Sequence, residues 1–157
     1  MHITVRAAIP SDIPHLVDLY RSMEDEQIVR KPVWALTDGL DEQFETQFLR
    51  LLEDDQAWLL VGEIDGVVVG LLAARTDSML ERARGQRIGT VTLIYTEPEA
   101  RGVGVGHEML ETQLNTFRAL GIRYFDAPVG PGHRETKNFF EAHGFAARSI
   151  VMHHRDD

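Results

Sequence analysis

Apolar positions along the chain change period several times, and each change marks an element. Ile3 to Ala7 alternates as a short strand. Asp12 to Glu24 then takes the helical period, with Ile13, Leu16, Val17 and Tyr20 on one face and Ser11 placed to cap the first turn. Asp25 to Leu40 mixes charge with Pro32, Trp34 and Gly39 and reads as a loop. Asp41 to Glu53 predicts a second amphipathic helix, with Phe44, Phe48, Leu51 and Leu52 inward. Ala57 to Ile64 and Val67 to Arg75 flank Asp65-Gly66, a hairpin signal, and Arg87 to Glu97 supplies a third antiparallel strand after the charged stretch Asp77 to Gln86. The period returns to helical over His107 to Leu120, with Val105, Met109, Leu114 and Phe117 as core positions and Gly121 as the stop. Ile122 to Ala127 reads as a strand, His133 to His143 as a helix and Phe145 to His153 as a closing strand. The order β-α-α-β-β-β-α-β-α-β predicts the α+β class, a mixed and mostly antiparallel sheet with helices packed on its faces.

Composition narrows the class without naming a chemistry. At 157 residues and 43% hydrophobic, the chain can bury one sizeable core, and residues 1–157 read as one domain without linker or repeat. No apolar run reaches the ~18 to 20 residues of a membrane span, and no basic region followed by an apolar stretch opens the chain. The expectation is a cytoplasmic protein without a membrane partner. Zero cysteines exclude disulfides, thiolate zinc sites and a cysteine nucleophile. The seven histidines include no H-E-x-x-H pair, and the adjacent His153-His154 cannot face one site from a regular element, so no metal is expected. A net charge of −9 argues against a nucleic-acid partner, because phosphate contacts draw on clustered Lys and Arg. It favours a cationic acceptor by long-range attraction, although salt screens that field beyond roughly 10 Å.

Chemistry concentrates in Arg101-Gly102-Val103-Gly104-Val105-Gly106, between the apolar run Thr90 to Tyr95 and the third helix. A glycine inside a helix costs roughly 1 kcal/mol relative to alanine, so this many at a first turn need a local reason. Close backbone approach supplies it. Several amide N–H groups can converge on one anion, and the positive end of the helix dipole adds its field. A pyrophosphate fits both features. The Walker pattern is absent, since Gly106 is followed by His107-Glu108 rather than Lys and Ser or Thr. The dinucleotide fingerprint fails too, because the spacing is G-x-G-x-G and Thr96 to Ala100 separates it from the strand.

Arg-x-x-Gly-x-Gly with Pro98 three residues before the arginine resembles the acetyl-CoA-binding segment of the GNAT N-acetyltransferase superfamily. Two further stretches carry the resemblance. Val5-Arg6-Ala7-Ala8-Ile9-Pro10-Ser11-Asp12 looks like the family's opening strand and helix, and Phe139-Phe140-Glu141-Ala142-His143-Gly144-Phe145 is similar to its last helix and the following G-F. The resemblance implies a sheet whose strands Arg87 to Glu97 and Ile122 to Ala127 splay apart and admit the pantetheine arm of CoA. It implies acetyl-CoA as co-substrate, direct attack by a primary amine of a small molecule or protein, no covalent enzyme intermediate and no metal. Backbone amides of Gly102, Val103, Gly104, Val105, Gly106 and His107 would hold the pyrophosphate. Main-chain groups of Ile94, Tyr95 and Thr96 would pair with pantetheine, one of them facing the oxyanion. Arg101 would contact a phosphate or cap the loop. A homodimer is common in the family.

An amine with a pKa of about 10.4 must lose a proton at pH ~7, which costs about 3.4 units, or roughly 4.6 kcal/mol. A carboxylate or His should take it, directly or through a water. The candidates are Asp126 and His133, with Glu97 and the acidic trio Glu24-Asp25-Glu26 beside them. Asp126 shares a strand face with Tyr124. His133 stands where the family often has an Asn, and Phe140 where it often has a Tyr that reprotonates the departing thiolate. CoA thiol, with a pKa of ~8.5, can leave without that acid. Trp34 reads as either a wall of the acceptor pocket or a plug on the core, while Trp58 and Tyr124 read as packing residues. Three functions remain: an N-acetyltransferase, a catalytically silent acyl-CoA-binding module, and a nucleotide-binding oxidoreductase disfavoured by the glycine spacing.

Overall fold

In the computed structural model, which describes all residues except 31–32, 42 and 131–132, the sheet grows from the Asp65-Gly66 hairpin. Asp65 and Gly66 have φ of 50° and 83°, so both central turn residues adopt positive φ, the condition for a turn that matches strand twist. Strands β1 (Ile3–Ala7), β2 (Ala57–Ile64), β3 (Val67–Ser78), β4 (Arg87–Thr96) and β5 (Tyr124–Asp126) lie side by side in chain order. The first four are antiparallel and β5 joins β4 in parallel. The mostly antiparallel α+β sheet expected from the pattern is the fold observed.

Successive residues of β2 and β3 face opposite sides, and each side has its own core. Val61 and Leu71 meet Leu16 and Tyr20 of α1 (Ile13–Arg30) and Phe48 of α3 (Phe44–Glu53). Leu60 and Leu72 meet Met109, Leu114 and Phe117 of α4 (Val105–Ala119), with Phe140 of α5 (Arg134–Ala142) at the border. Phe117 also receives the edge of Trp58 at 5.5 Å. It comes so close to β4 that a Cβ on Gly89 would sit 2.6 Å from its ring. Only glycine lets the helix seat there. Among the described residues, no helix is long and apolar enough to cross a membrane.

Several expectations need correction. Helix α1 runs on to Arg30, six residues beyond the expected Glu24, because Glu, Gln and Arg are good helix formers and the charge run contains no breaker. Ser11 is not its cap. Pro10–Asp12 forms a 3-10 turn, in which the Asp12 carboxylate accepts from Ile9 N at 2.8 Å and from both terminal nitrogens of Arg6 at 2.8 and 2.9 Å. Those bonds, the Arg6 one first, hold Asp12 below the usual carboxylate range. The loop expected over Asp25 to Leu40 also contains a short helix, α2 (Trp34–Thr37), whose Trp34 is buried beside Tyr20; Pro32 lies outside the described residues.

The remaining corrections concern the right-hand edge of the sheet. Strand β5 is three residues long, and the closing strand expected over Phe145 to His153 does not form. Residues 146–157 are exposed, fastened to the sheet by the Arg148–Asp126 ion pair. Strand propensity is realised only where a ladder partner exists, and a three-residue edge offers little ladder. Tyr124, expected as packing, is 47% exposed for the same reason: nothing among the described residues covers that edge.

Candidate active site

The opening between β4 and β5 begins where their pairing stops. Only Ile88, Gly89 and Thr90 face β5, and Val91 to Thr96 continue along β3 alone. After Thr96 the chain makes a 3-10 turn over Pro98–Ala100 and reaches the glycine run. Gly102 and Gly104 have φ of 82° and 106°, which turn the chain into α4 with Gly104 as N-cap. No side chain caps this helix. Its first amides, including those of Val105, Gly106 and His107, have no preceding turn to bond, and these residues line the opening. A Cβ on Gly104 would find only Ile3 at 3.7 Å, so it is the backbone angle, not crowding, that demands glycine here.

These elements enclose a cavity of about 410 Å³, within the range of small-molecule sites. Ile94, Tyr95 and Thr96 form one wall and Arg101, Gly102, Gly104, Val105, Gly106 and His107 another. His133 lines it from the foot of α5. Val103 points outward and is 41% exposed. A smaller cavity of about 50 Å³ shares Met23, Gln27, Ile94, His133 and Thr136 with it and ends against Trp34 and Phe140. Trp34 is therefore both a buried plug and a wall.

Two expected residues stand elsewhere. Asp126 lies outside both cavities, held by Arg148, whose Nε donates to Oδ1 at 2.8 Å and whose Nη2 meets Oδ2. Glu97 also lies outside, its Oε1 3.7 Å from His15 Nε2. Arg101 faces inward but is engaged: its Nε donates to the Thr96 carbonyl at 2.8 Å, and its guanidinium stands 5.2 Å over the Tyr95 ring.

Glu26 is the residue that the sequence underweighted. Met23, Glu26 and Gln27 share one face of α1 at i, i+3 and i+4, and the unexpected extra length of that helix carries Glu26 and Gln27 to the cavity. Of the trio, Glu26 alone lines it. Its carboxylate accepts from Tyr95 Oη at 2.9 Å and from Arg101 Nη2 at 3.0 and 3.1 Å. Burial, then the bond to Glu26, pushes the Tyr95 phenol up to about 12, so it remains a donor at neutral pH. His143 was missed as well. It lines the cavity from the end of α5 with His107 Nδ1 2.8 Å away, a pairing that depends on tertiary packing.

Known proteins share sequence or fold with this chain. Residues 16–145 match the model of the acetyltransferase (GNAT) family. An uncharacterised N-acetyltransferase of Archaeoglobus fulgidus is 32% identical over 126 residues, covering 79% of this chain and 77% of that protein. The fold is shared with a transcriptional regulator from Bacillus halodurans, at TM-score 0.80 and 20% identity, over 99% of this chain and all of that one. It is also shared with a predicted acetyltransferase from Clostridium acetobutylicum solved with acetyl-CoA, at TM-score 0.71 and 17% identity, over 98% of this chain and 96% of that one. With the family model spanning most of the sheet and all of the glycine cradle, the chain belongs to the GNAT acetyltransferase family.

Proposed function

We propose that the protein transfers an acetyl group from acetyl-CoA to a primary amine by direct attack. One observation carries the reading: an uncapped helix start with two glycines at positive φ opens into a cavity of about 410 Å³ between splayed strands. Amides of Gly102 to His107 hold the diphosphate. Main-chain groups of Ile94 and Thr96, which β4 turns away from β3, take the pantetheine arm as an added strand while Tyr95 stays paired with Leu71, and one amide receives the oxyanion. The Thr96 carbonyl already accepts from Arg101, so that end of the pairing is shared. Arg101 organises the cradle by tying Thr96, Tyr95 and Glu26 together.

The acceptor enters from the Trp34 side. Glu26 attracts its ammonium group, which loses one proton to solvent to give the attacking amine, and His133, which lines both cavities, takes the second proton as the C–N bond forms. The C–S bond then breaks. Phe140 offers no proton, so sulfur departs as thiolate and is protonated by solvent or by the proton His133 has taken. Holding both reactants in line contributes ~7 kcal/mol or more to the rate, beyond the proton transfer.

A second reading, an acyl-CoA-binding module without turnover, is favoured by Phe140 in place of a hydroxyl and by the engagement of Asp126 with Arg148. Free thiol released from acetyl-CoA across a panel of amines decides between them. Release with at least one amine supports the transferase; CoA binding with no release from any amine supports the module.

A further inference from the structure

We propose that His107, Glu111 and His143 form a site for one divalent ion of the zinc class at the wall of the large cavity. His107 and Glu111 stand one turn apart on α4, and His143 reaches them from the end of α5. One ligand atom of each lies within 4.8 Å of the other two. The closest pair, His107 Nδ1 and His143 Nε2, is 2.8 Å apart.

Protons show why this is more than two surface histidines meeting. His143 Nδ1 lies 2.7 Å from the Phe139 carbonyl oxygen, which can only accept, so Nδ1 carries the ring's hydrogen. In the neutral ring Nε2 is then a bare lone pair, and it points at His107. Such a carbonyl bond on the far nitrogen is the arrangement that fixes tautomer and ring direction in metal-binding histidines. The ring is further held 4.7 Å from the Phe139 ring and 5.0 Å from that of His107. In the ion-free protein, His107 fills the gap by donating its own Nδ1–H. Moving that hydrogen to Nε2 leaves two lone pairs facing each other across the gap, and small rotations of the two rings turn both onto one ion beside it.

The separations suit a metal. With Zn–N bonds of about 2.0–2.1 Å, two nitrogens of one coordination sphere lie about 2.9 to 3.3 Å apart, a few tenths of an ångström from the distance observed. Glu111 supplies an oxygen from the same helix face. Arg118 Nη1 is 3.7 Å from Glu111 Oε2, and an exposed pair of that length yields readily. Two imidazoles and a carboxylate without thiolate select Zn²⁺, Co²⁺ or Ni²⁺ over Mg²⁺ or Ca²⁺. Three protein ligands leave at least one position open, as in zinc sites that take water or a small anion. The H-E-x-x-H search overlooks such a site because its ligands come from two helices.

The test is a titration of metal-stripped protein with Co²⁺, read by the visible bands that a nitrogen-and-oxygen site confers, followed by displacement with Zn²⁺. One equivalent should saturate the bands. His143→Ala should weaken binding at least ~100-fold and Glu111→Gln at least ~10-fold, since even losing a supporting partner of a ligand costs 10- to 100-fold. The double variant His153→Ala/His154→Ala, which removes the exposed histidines of the tail, should retain the bands. Circular dichroism and melting in chelator should match wild type for every variant. Absent bands, bands unchanged in His143→Ala, or bands lost with the tail histidines would overturn the site. None of these outcomes bears on acetyl transfer, which the thiol-release assay reads separately.

Discussion

The two ends of the large cavity are built in opposite ways. At the cradle, consecutive residues supply backbone amides, and their conformation follows from Gly102 and Gly104 at positive φ. At the His133 end, side chains come from opposite ends of the chain, Glu26 on α1 and His133 at the foot of α5. A backbone site tolerates many side chains but few backbone angles. A side-chain site tolerates the reverse. Affinity for the cofactor and turnover should therefore fail separately.

The largest expected effect breaks turnover alone. His133→Ala should lower kcat by roughly 10²- to 10⁴-fold, the size of a lost acid or base, while the dissociation constant of CoA stays within about threefold. Steady-state kinetics and calorimetry check the two halves; an unchanged kcat removes His133 from the chemistry.

Gly104→Val should break binding alone. Saturating CoA at ~100 times its dissociation constant stabilises wild type by about 2.7 kcal/mol, a melting shift of roughly 5 to 10 °C. The variant, forced to a φ that costs a branched residue about 1–2 kcal/mol, should melt a few degrees lower and lose that shift. Scanning fluorimetry with and without CoA reads both numbers.

Glu26→Gln should raise the KM of a cationic acceptor by up to about fivefold, the worth of one partly exposed charge, with kcat nearly unchanged and the salt dependence of KM reduced. A KM indifferent to both charge and salt would place the acceptor elsewhere.

The smallest effect is alkaline. Tyr95 is raised from 10.0 to about 12 by burial and then by Glu26, and Tyr20 to about 12 by burial. A folded pKa above the unfolded one gives stability that is complete below pH ~10 and lost as pH climbs to ~12. Denaturation midpoints across that window should fall, and Tyr95→Phe should flatten part of the slope.

What the chain discloses in advance follows the same division. The Asp65-Gly66 turn, the period of α4 and the glycine spacing were legible because each is set by neighbours in sequence. The end of α1 was misjudged because a charged run resembles a loop in composition yet contains no residue that stops a helix before Pro32. The strand over Phe145 to His153 was misjudged because alternation states a capacity for pairing, and only the short β5 edge stood beside it. Asp126 is held by Arg148 and Glu97 stands outside both cavities, whereas Glu26 became prominent only when α1 proved long enough to reach Tyr95 and Arg101. Which carboxylate lines the cavity is a property of the packed molecule. Pro131 and Gly132, just before His133, lie outside the described residues.

Amide chemical shifts test the central claim most directly. In ¹⁵N-labelled protein titrated with CoA, the amides of Gly102 to His107 should show the largest displacements, and free pyrophosphate should move the same set. If those amides stay fixed while CoA saturates the protein and displaces others, the diphosphate is held elsewhere and the cradle is only a turn.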